Sequence, residues 1–269
     1  MPEETSYPDW VAYEPDLVPP LALMAREGIT TIEEWFRWAE EWSFLLRAYG
    51  RMRLDSTVLE IGCGQGRTAF ALRYLLAGGR YCGFDIAQDS ISRLTDIFHP
   101  RHANFTFHFL DIHNTHYNPR GTIQPTDARF PAKSASHDLI YAASIFTHML
   151  PENTAAYFKE AARVLSPGGR CVFSFFLLDN YRPGRPRPFG FARPGFNFDH
   201  AWGPHSTEFA IADPENPELM TAYSLALIKR MADDAALELA QDPVPGLWSG
   251  AVAAPVGAQD IIVLRHKQR

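Results

Sequence analysis

The sequence predicts an α/β protein built on a parallel sheet with helices on both faces. Between residues 58 and 178, short apolar runs of strand length alternate with helical stretches, the pattern of parallel strands joined by helical crossovers. The first of these runs leads into a glycine-rich loop that opens a helix. The chain has 269 residues, 46% apolar and 21% charged, the balance of a globular domain that can bury a sizeable core.

Residues 1–29 are rich in proline and aromatics (Tyr7, Pro8, Trp10, Tyr13, Pro15, Pro19, Pro20), and proline discourages regular structure there. Thr30-Thr31-Ile32-Glu33-Glu34 contains a capping-box pattern that starts a helix. Trp35, Trp38, Trp42, Leu45 and Tyr49 recur every three or four residues along it, and Gly50 ends it. Residues 1–50 are therefore expected to form an N-terminal helical cap. Strands are predicted at 58–61, 81–84, 105–110, 139–143 and 171–178. Helices are predicted between them at 68–77, 90–98 and 151–165, the last opened by Pro151 at its first turn. Residues 179–218 break the rhythm with Pro, Gly, Arg and aromatics. A loop this long in a compact domain is usually functional, and its aromatics point to a lid inserted after the fifth strand. A helix over 219–236 and strands near 237–241 and 260–264 complete a single domain over 1–269.

The net charge is −6, from 25 basic and 31 acidic residues. A nucleic-acid binder carries a basic surplus or stripe, so no nucleic-acid partner is expected and a small-molecule substrate is favoured. No apolar run reaches the length of a membrane span, and the start lacks the pattern of a secretory signal. Cys63, Cys82 and Cys171 are odd in number and widely spaced, which fits reduced thiols and a cytoplasmic location. His113 and His116 make an H-x-x-H pair with no third ligand in view, so no metal is expected.

The strongest signal is Val58-Leu59-Glu60-Ile61-Gly62-Cys63-Gly64-Gln65-Gly66-Arg67-Thr68. Glycines let a ligand approach the backbone closely, and the helix start supplies free N–H groups beside it. A nucleotide cofactor is the natural occupant at the carboxyl end of a first strand. A dinucleotide fingerprint needs a glycine where Arg67 stands, and no G-x-x-x-x-G-K-[ST] loop exists. Glu60 suits a positively charged amino group better than a pyrophosphate. Asp85 ends the second strand at about the spacing of a ribose-binding carboxylate. Asp111 ends the third and is expected to reach the base.

At these residues the chain resembles the class I S-adenosylmethionine-dependent methyltransferases. Glu60 to Gly66 is similar to their first motif, Asp85 to the acidic residue after it, and Leu110-Asp111-Ile112 to their adenine-contacting motif. Val164-Leu165-Ser166-Pro167-Gly168-Gly169 is similar to their turn into the fifth strand. A narrower likeness to bacterial small-molecule methyltransferases runs through Tyr117-Asn118-Pro119-Arg120-Gly121, 144–150 and 259–264. The resemblance implies a Rossmann-like, seven-stranded, mostly parallel sheet whose last strand is antiparallel. It also implies S-adenosylmethionine as cofactor, held by Glu60, Gly62, Cys63, Gly64, Gly66, Asp85, Ile86, Asp111, Ile112 and Ser144.

Methyl transfer from a sulfonium is an in-line displacement with a good leaving group. The protein mainly has to place the acceptor about 3 Å from the methyl carbon, in line with sulfur. A general base is needed only where the acceptor carries a high-pKa proton. His148, just past the fourth strand, is the expected catalytic residue. Trp10, Phe146, His113, Phe176, Trp202 and Trp248 are the expected substrate contacts, although aromatics also serve to cover a domain's own apolar surface. The arginines at 182, 185, 187 and 193 either meet an acidic substrate or form a solvated loop. The reading is methyl transfer to a small metabolite, at oxygen. A non-catalytic methyltransferase-like partner subunit and an RNA methyltransferase are the alternatives.

Overall fold

A computed structural model describes residues 14–187, 196–252 and 255–268. The helices are α1 (Leu21–Met24), α2 (Ile32–Ala48), α3 (Arg67–Leu72), α4 (Gln88–Phe98), α5 (Pro151–Val164) and α6 (Leu225–Asp234). The strands are β1 (Thr57–Ile61), β2 (Arg80–Asp85), β3 (Phe105–Phe109), β4 (His137–Ala142), β5 (Leu165–Phe175), β6 (His200–Ala201), β7 (Phe209–Ile211), β8 (Thr221–Tyr223), β9 (Leu237–Leu239) and β10 (Asp260–His266).

Seven strands form one sheet in the order β3-β2-β1-β4-β5-β10-β9. The first five pair in parallel, and β10 runs antiparallel to both neighbours. This is the Rossmann-like, seven-stranded, mostly parallel sheet of the sequence reading, with helices on both faces. Side chains alternate across each strand and feed two apolar layers. Leu59, Ile140, Phe173 and Phe175 pack under α5 and α6. Val58, Tyr81, Tyr141 and Val263 pack with Trp35, Trp42, Phe70 and Leu94 from α2, α3 and α4. Among the described residues no helix is long and apolar enough to cross a membrane.

Local chemistry explains the element ends. Thr31 caps α2, its hydroxyl accepting from Glu34 N at 3.1 Å, and Glu34 reaches back to Thr30 N at 2.9 Å. The helix expected over 219–236 is instead β8 followed by α6, because Thr221–Tyr223 pairs with β7 and Ser224 caps the helix by accepting from Leu227 N at 3.1 Å. α3 is shorter than expected and gives way to turns after Leu72. The 179–218 stretch contributes β6 and β7 to a small sheet with β8. Phe176, Tyr181, Phe196, Phe198 and Trp248 form a third apolar cluster.

Candidate active site

The strand order reverses between β1 and β4, and an open parallel sheet presents its ligand crevice at the carboxyl ends of the strands flanking such a point. A crevice of about 480 Å³ lies there. The loop after β1 forms its floor. Gly62 and Cys63 both donate their N–H groups to Phe84 O, at 2.9 and 3.0 Å, which fastens the loop to the end of β2. Gly62 has φ +72, and a Cβ there would stand 2.1 Å from Ile145 Cδ1. Gly64 has φ +49, and a Cβ there would collide with the Glu27 carboxylate at 2.2 Å. Only glycine meets both requirements, a left-handed backbone and close neighbours.

Acids dominate the lining. Glu60, 3% exposed, accepts from the Tyr81 hydroxyl, and burial pushes its pKa up to about 7. Asp85 accepts from Gly64 N at 2.7 Å and Ala87 N at 2.9 Å, and burial raises its pKa too. Glu27 comes from the segment before α2, and its Oε1 accepts from Gln65 N at 2.6 Å. Desolvation against the loop raises its pKa, opposed by the charge of Arg67. Five carboxyl side chains (Glu27, Glu60, Asp85, Asp89, Glu218) face two guanidinium groups (Arg26, Arg67) along the crevice. Arg26 is paired with Asp89. Arg67 keeps a buried Nε with no partner among the described residues. A net-negative crevice favours a cationic occupant.

The far end is built from β4, the residues after it and the loop after β3. His148 Nδ1 lies 2.7 Å from Leu219 O. A carbonyl only accepts, so Nδ1 carries the proton and Nε2 is left with a free lone pair. Burial lowers the His148 pKa to about 4, which keeps the ring neutral. The Tyr117 ring meets His148 edge-on, with centroids 5.2 Å apart. Asn114 donates to His148 O at 3.3 Å. Ser144 holds φ +60 just past β4, its N–H bonded to Ser174 Oγ at 2.8 Å.

Several residues singled out from sequence line the crevice together: Glu60, Gly62, Cys63, Gly64, Asp85, Ile86, Ile112, His113, Ser144 and His148. Others stand elsewhere. The Asp111 carboxyl accepts from Thr122 N, Thr122 Oγ1 and Asn118 Nδ2, so it closes the neck of the 111–122 loop instead of facing the crevice. Gly66 packs against Leu94 on α4. Phe146 stacks on Phe175, with centroids 5.0 Å apart, inside the core. Phe176 and Trp248 are fully buried in the third cluster, and Trp248 Nε1 donates to Asp260 at 2.6 Å. Trp202 packs against the layer under α5 and α6. Burial against their own domain is the physical reason these four aromatics do not line the crevice. Trp10 and Arg193 lie outside the described residues. Arg182 and Arg187 donate to loop carbonyls, which ties the loop to itself. Sequence reasoning missed Glu27, Arg67, Asn114, Tyr117, Asn153, Tyr157 and Glu218. Arg67 and Tyr117 carried a local signal, Arg67 as the residue directly after the glycine loop and Tyr117 at the head of Tyr117-Asn118-Pro119-Arg120-Gly121.

A glycine-floored crevice at the switch point of this seven-stranded sheet, with an acid at the end of β1 and another at the end of β2, defines the class I methyltransferase architecture. The partnerless Arg67 Nε and the glycine cradle fit a ligand with a carboxylate and a nucleoside, as S-adenosylmethionine has. A family model described as a methyltransferase domain matches residues 59–171. The fold is similar to the CcbJ methyltransferase from Streptomyces caelestis, at 16% identity and TM-score 0.54 over 94% of this chain and 92% of that one. It is similar to a Burkholderia thailandensis 1,6-didemethyltoxoflavin-N1-methyltransferase with bound 1,6-didemethyltoxoflavin and S-adenosylhomocysteine, at 16% and 0.52 over 92% and 84%. A third likeness is to the mitomycin 7-O-methyltransferase MmcR, at 11% and 0.53 over 86% of this chain; this chain spans 54% of that one. Residues 59–171 match a methyltransferase domain, in a chain with the fold of S-adenosylmethionine-dependent methyltransferases.

Proposed function

We propose that the chain methylates a small-molecule acceptor at oxygen, with His148 as general base. The observation that carries this reading is the His148 ring at the far end of the crevice. Its Nδ1 proton is committed to Leu219 O and its Nε2 is free to accept. S-adenosylmethionine supplies an electrophilic methyl group on a sulfonium. Toward it, Glu60 would hold the ammonium, Arg67 the carboxylate and Asp85 the ribose hydroxyls. Asp85 would exchange its bond from Gly64 for a ribose hydroxyl at little cost, since one hydrogen bond replaces another.

On the acceptor side, Nε2 of His148 takes the hydroxyl proton as the oxygen attacks. The fixed tautomer means no ring rearrangement precedes the step. A base of low pKa is weak in the ground state, but the sulfonium is a reactive electrophile and only partial proton transfer is required. Met149, Ile145 and Tyr157 help to wall the site from water, which strengthens the electrostatics inside. The acidic lining speaks against an RNA acceptor, whose phosphates would be repelled.

Methyl-radiolabelled cofactor incubated with a metabolite extract tests the reading: label should enter a small molecule. His148→Ala should lower kcat by about 10²–10⁴ while KM for the acceptor moves little. Cofactor binding without transfer into any extract would instead support a non-catalytic partner.

A further inference from the structure

Glu218 is 4% exposed and lines the acceptor end of the crevice. Its Oε2 takes two hydrogen bonds from Thr115, from the N–H at 2.8 Å and from the hydroxyl at 2.6 Å. Its Oε1 takes none from the described residues. The Tyr157 hydroxyl, on a residue 6% exposed, is equally without a partner among the described residues and lines the same cavity. Tyr157 lies within the electrostatic reach of both Asp85 and Glu218, so it stands between the cofactor end and the acceptor end. The two guanidinium groups of the crevice, Arg26 and Arg67, belong to the cofactor end, where they meet Asp89 and Glu27. His148 beside Glu218 is kept neutral by burial.

A carboxylate fixed through one oxygen by Thr115 and open to the crevice through the other is a positioned acceptor, and a cationic donor makes its strongest hydrogen bond. We propose that Glu218 is a specificity residue that recognises a protonated amine on the acceptor, so that the substrates of this enzyme are small amine-bearing metabolites. The statement rests on the acceptor site assigned above. The Tyr157 hydroxyl completes the recognition by accepting a second N–H of the same group. An amine held this way stays protonated and has no lone pair to offer, so the methylated atom is a different one, facing His148. Acidic metabolites of similar size are excluded, because a second carboxylate would face Glu218 with no cation between them.

The test uses the full chain saturated with S-adenosylhomocysteine and a fragment panel of matched triples. One triple is tyramine, tyrosol and 3-(4-hydroxyphenyl)propionate, which share a phenol and differ in carrying a cation, a neutral hydroxyl or an anion. Binding is read by ligand-observed NMR and then titrated. Amines should bind about tenfold or more tightly than their neutral partners, with the anions weakest. In Glu218→Gln the preference for amines over neutral partners should vanish while calorimetric affinity for S-adenosylmethionine is unchanged. Thr115→Val, which leaves the carboxylate in place, should keep the order of preference and shows that loss in Glu218→Gln is not misfolding. Anions binding as well as amines, an amine preference that survives in Glu218→Gln, or no amine binding to the cofactor-loaded protein would overturn the proposal. Failure of the wild type to bind S-adenosylmethionine would instead strike at the methyltransferase reading itself.

Discussion

Glu60 carries two demands at once. In the binding mode proposed above it has to be ionised to hold an ammonium, yet burial between Leu59 and Ile61 in a central strand pushes its pKa up from 4.5 to about 7. An occupied site needs the anion, so affinity for S-adenosylmethionine should be flat above pH ~7. It should fall by up to about tenfold per pH unit below that, as one proton is taken up before binding. The effect on stability has the opposite sign. A raised carboxyl pKa stabilises the fold below the unfolded value of 4.5, and that contribution is lost as pH rises through about 7. The unliganded protein should therefore lose stability across this window, and the cofactor should offset the loss. Calorimetric titrations and thermal melts across pH ~4.5–8 check both signs, and Glu60→Gln should flatten both curves. The motif was legible in the sequence because glycine is forced at Gly62 and Gly64 by φ and by contacts at 2.1 and 2.2 Å. Glu27 and Glu218 were not, because a lone acid in a polar stretch has no local pattern to mark it.

At the scale of elements, β10 does more than close the sheet. Asp260 at its start is fully buried and accepts from Leu177 N, Asn180 Nδ2, Gly246 N and Trp248 Nε1. It therefore ties the ends of two connecting segments to the sheet, including the one that holds the third aromatic cluster. Removing it orphans several buried donors, each costing about 1–3 kcal/mol. Asp260→Ala should lower the unfolding free energy by at least ~3 kcal/mol in urea titrations, with Trp248 fluorescence shifting to longer wavelength. The helical period marked α2, α4 and α5 within two residues of their observed ends. It failed over 219–236, where one helix was expected and a strand precedes a shorter helix. Pairing of β8 with β7 decided the outcome, since a strand depends on its partner more than on its own propensity.

For the whole molecule, the segment before α2 adds Arg26 and Glu27 to the wall of the crevice at the ends of the central strands. Glu14 anchors it: the carboxylate accepts from Arg73 Nε at 2.5 Å and from the Tyr74 hydroxyl at 2.9 Å, and pairs with His102 at 2.7 Å. The Arg73 and Glu14 side chains are 2% and 10% exposed, so Glu14→Ala removes one buried acceptor shared by Arg73, Tyr74 and His102. Glu14→Ala should cost about 3 kcal/mol in unfolding experiments. It should also weaken cofactor binding, since Glu27 rides on the same segment. The Glu14 pKa is lowered by its bonds to Arg73, Tyr74 and His102, which outweigh burial. Its stabilising contribution is therefore complete above the unfolded value of 4.5 and is lost as pH falls below it.

The sequence alone determined the alternation of strands and helices, the parallel order, and the glycine-and-acid floor of the cofactor crevice. These are local properties, in which periodicity of burial and positive φ leave a mark within a few residues. Only the tertiary structure decided which aromatics wall a pocket and which fill a core, and which acids from residues 27 and 218 converge on one crevice. Those outcomes depend on contacts between segments up to about two hundred residues apart, and no window of sequence contains both partners.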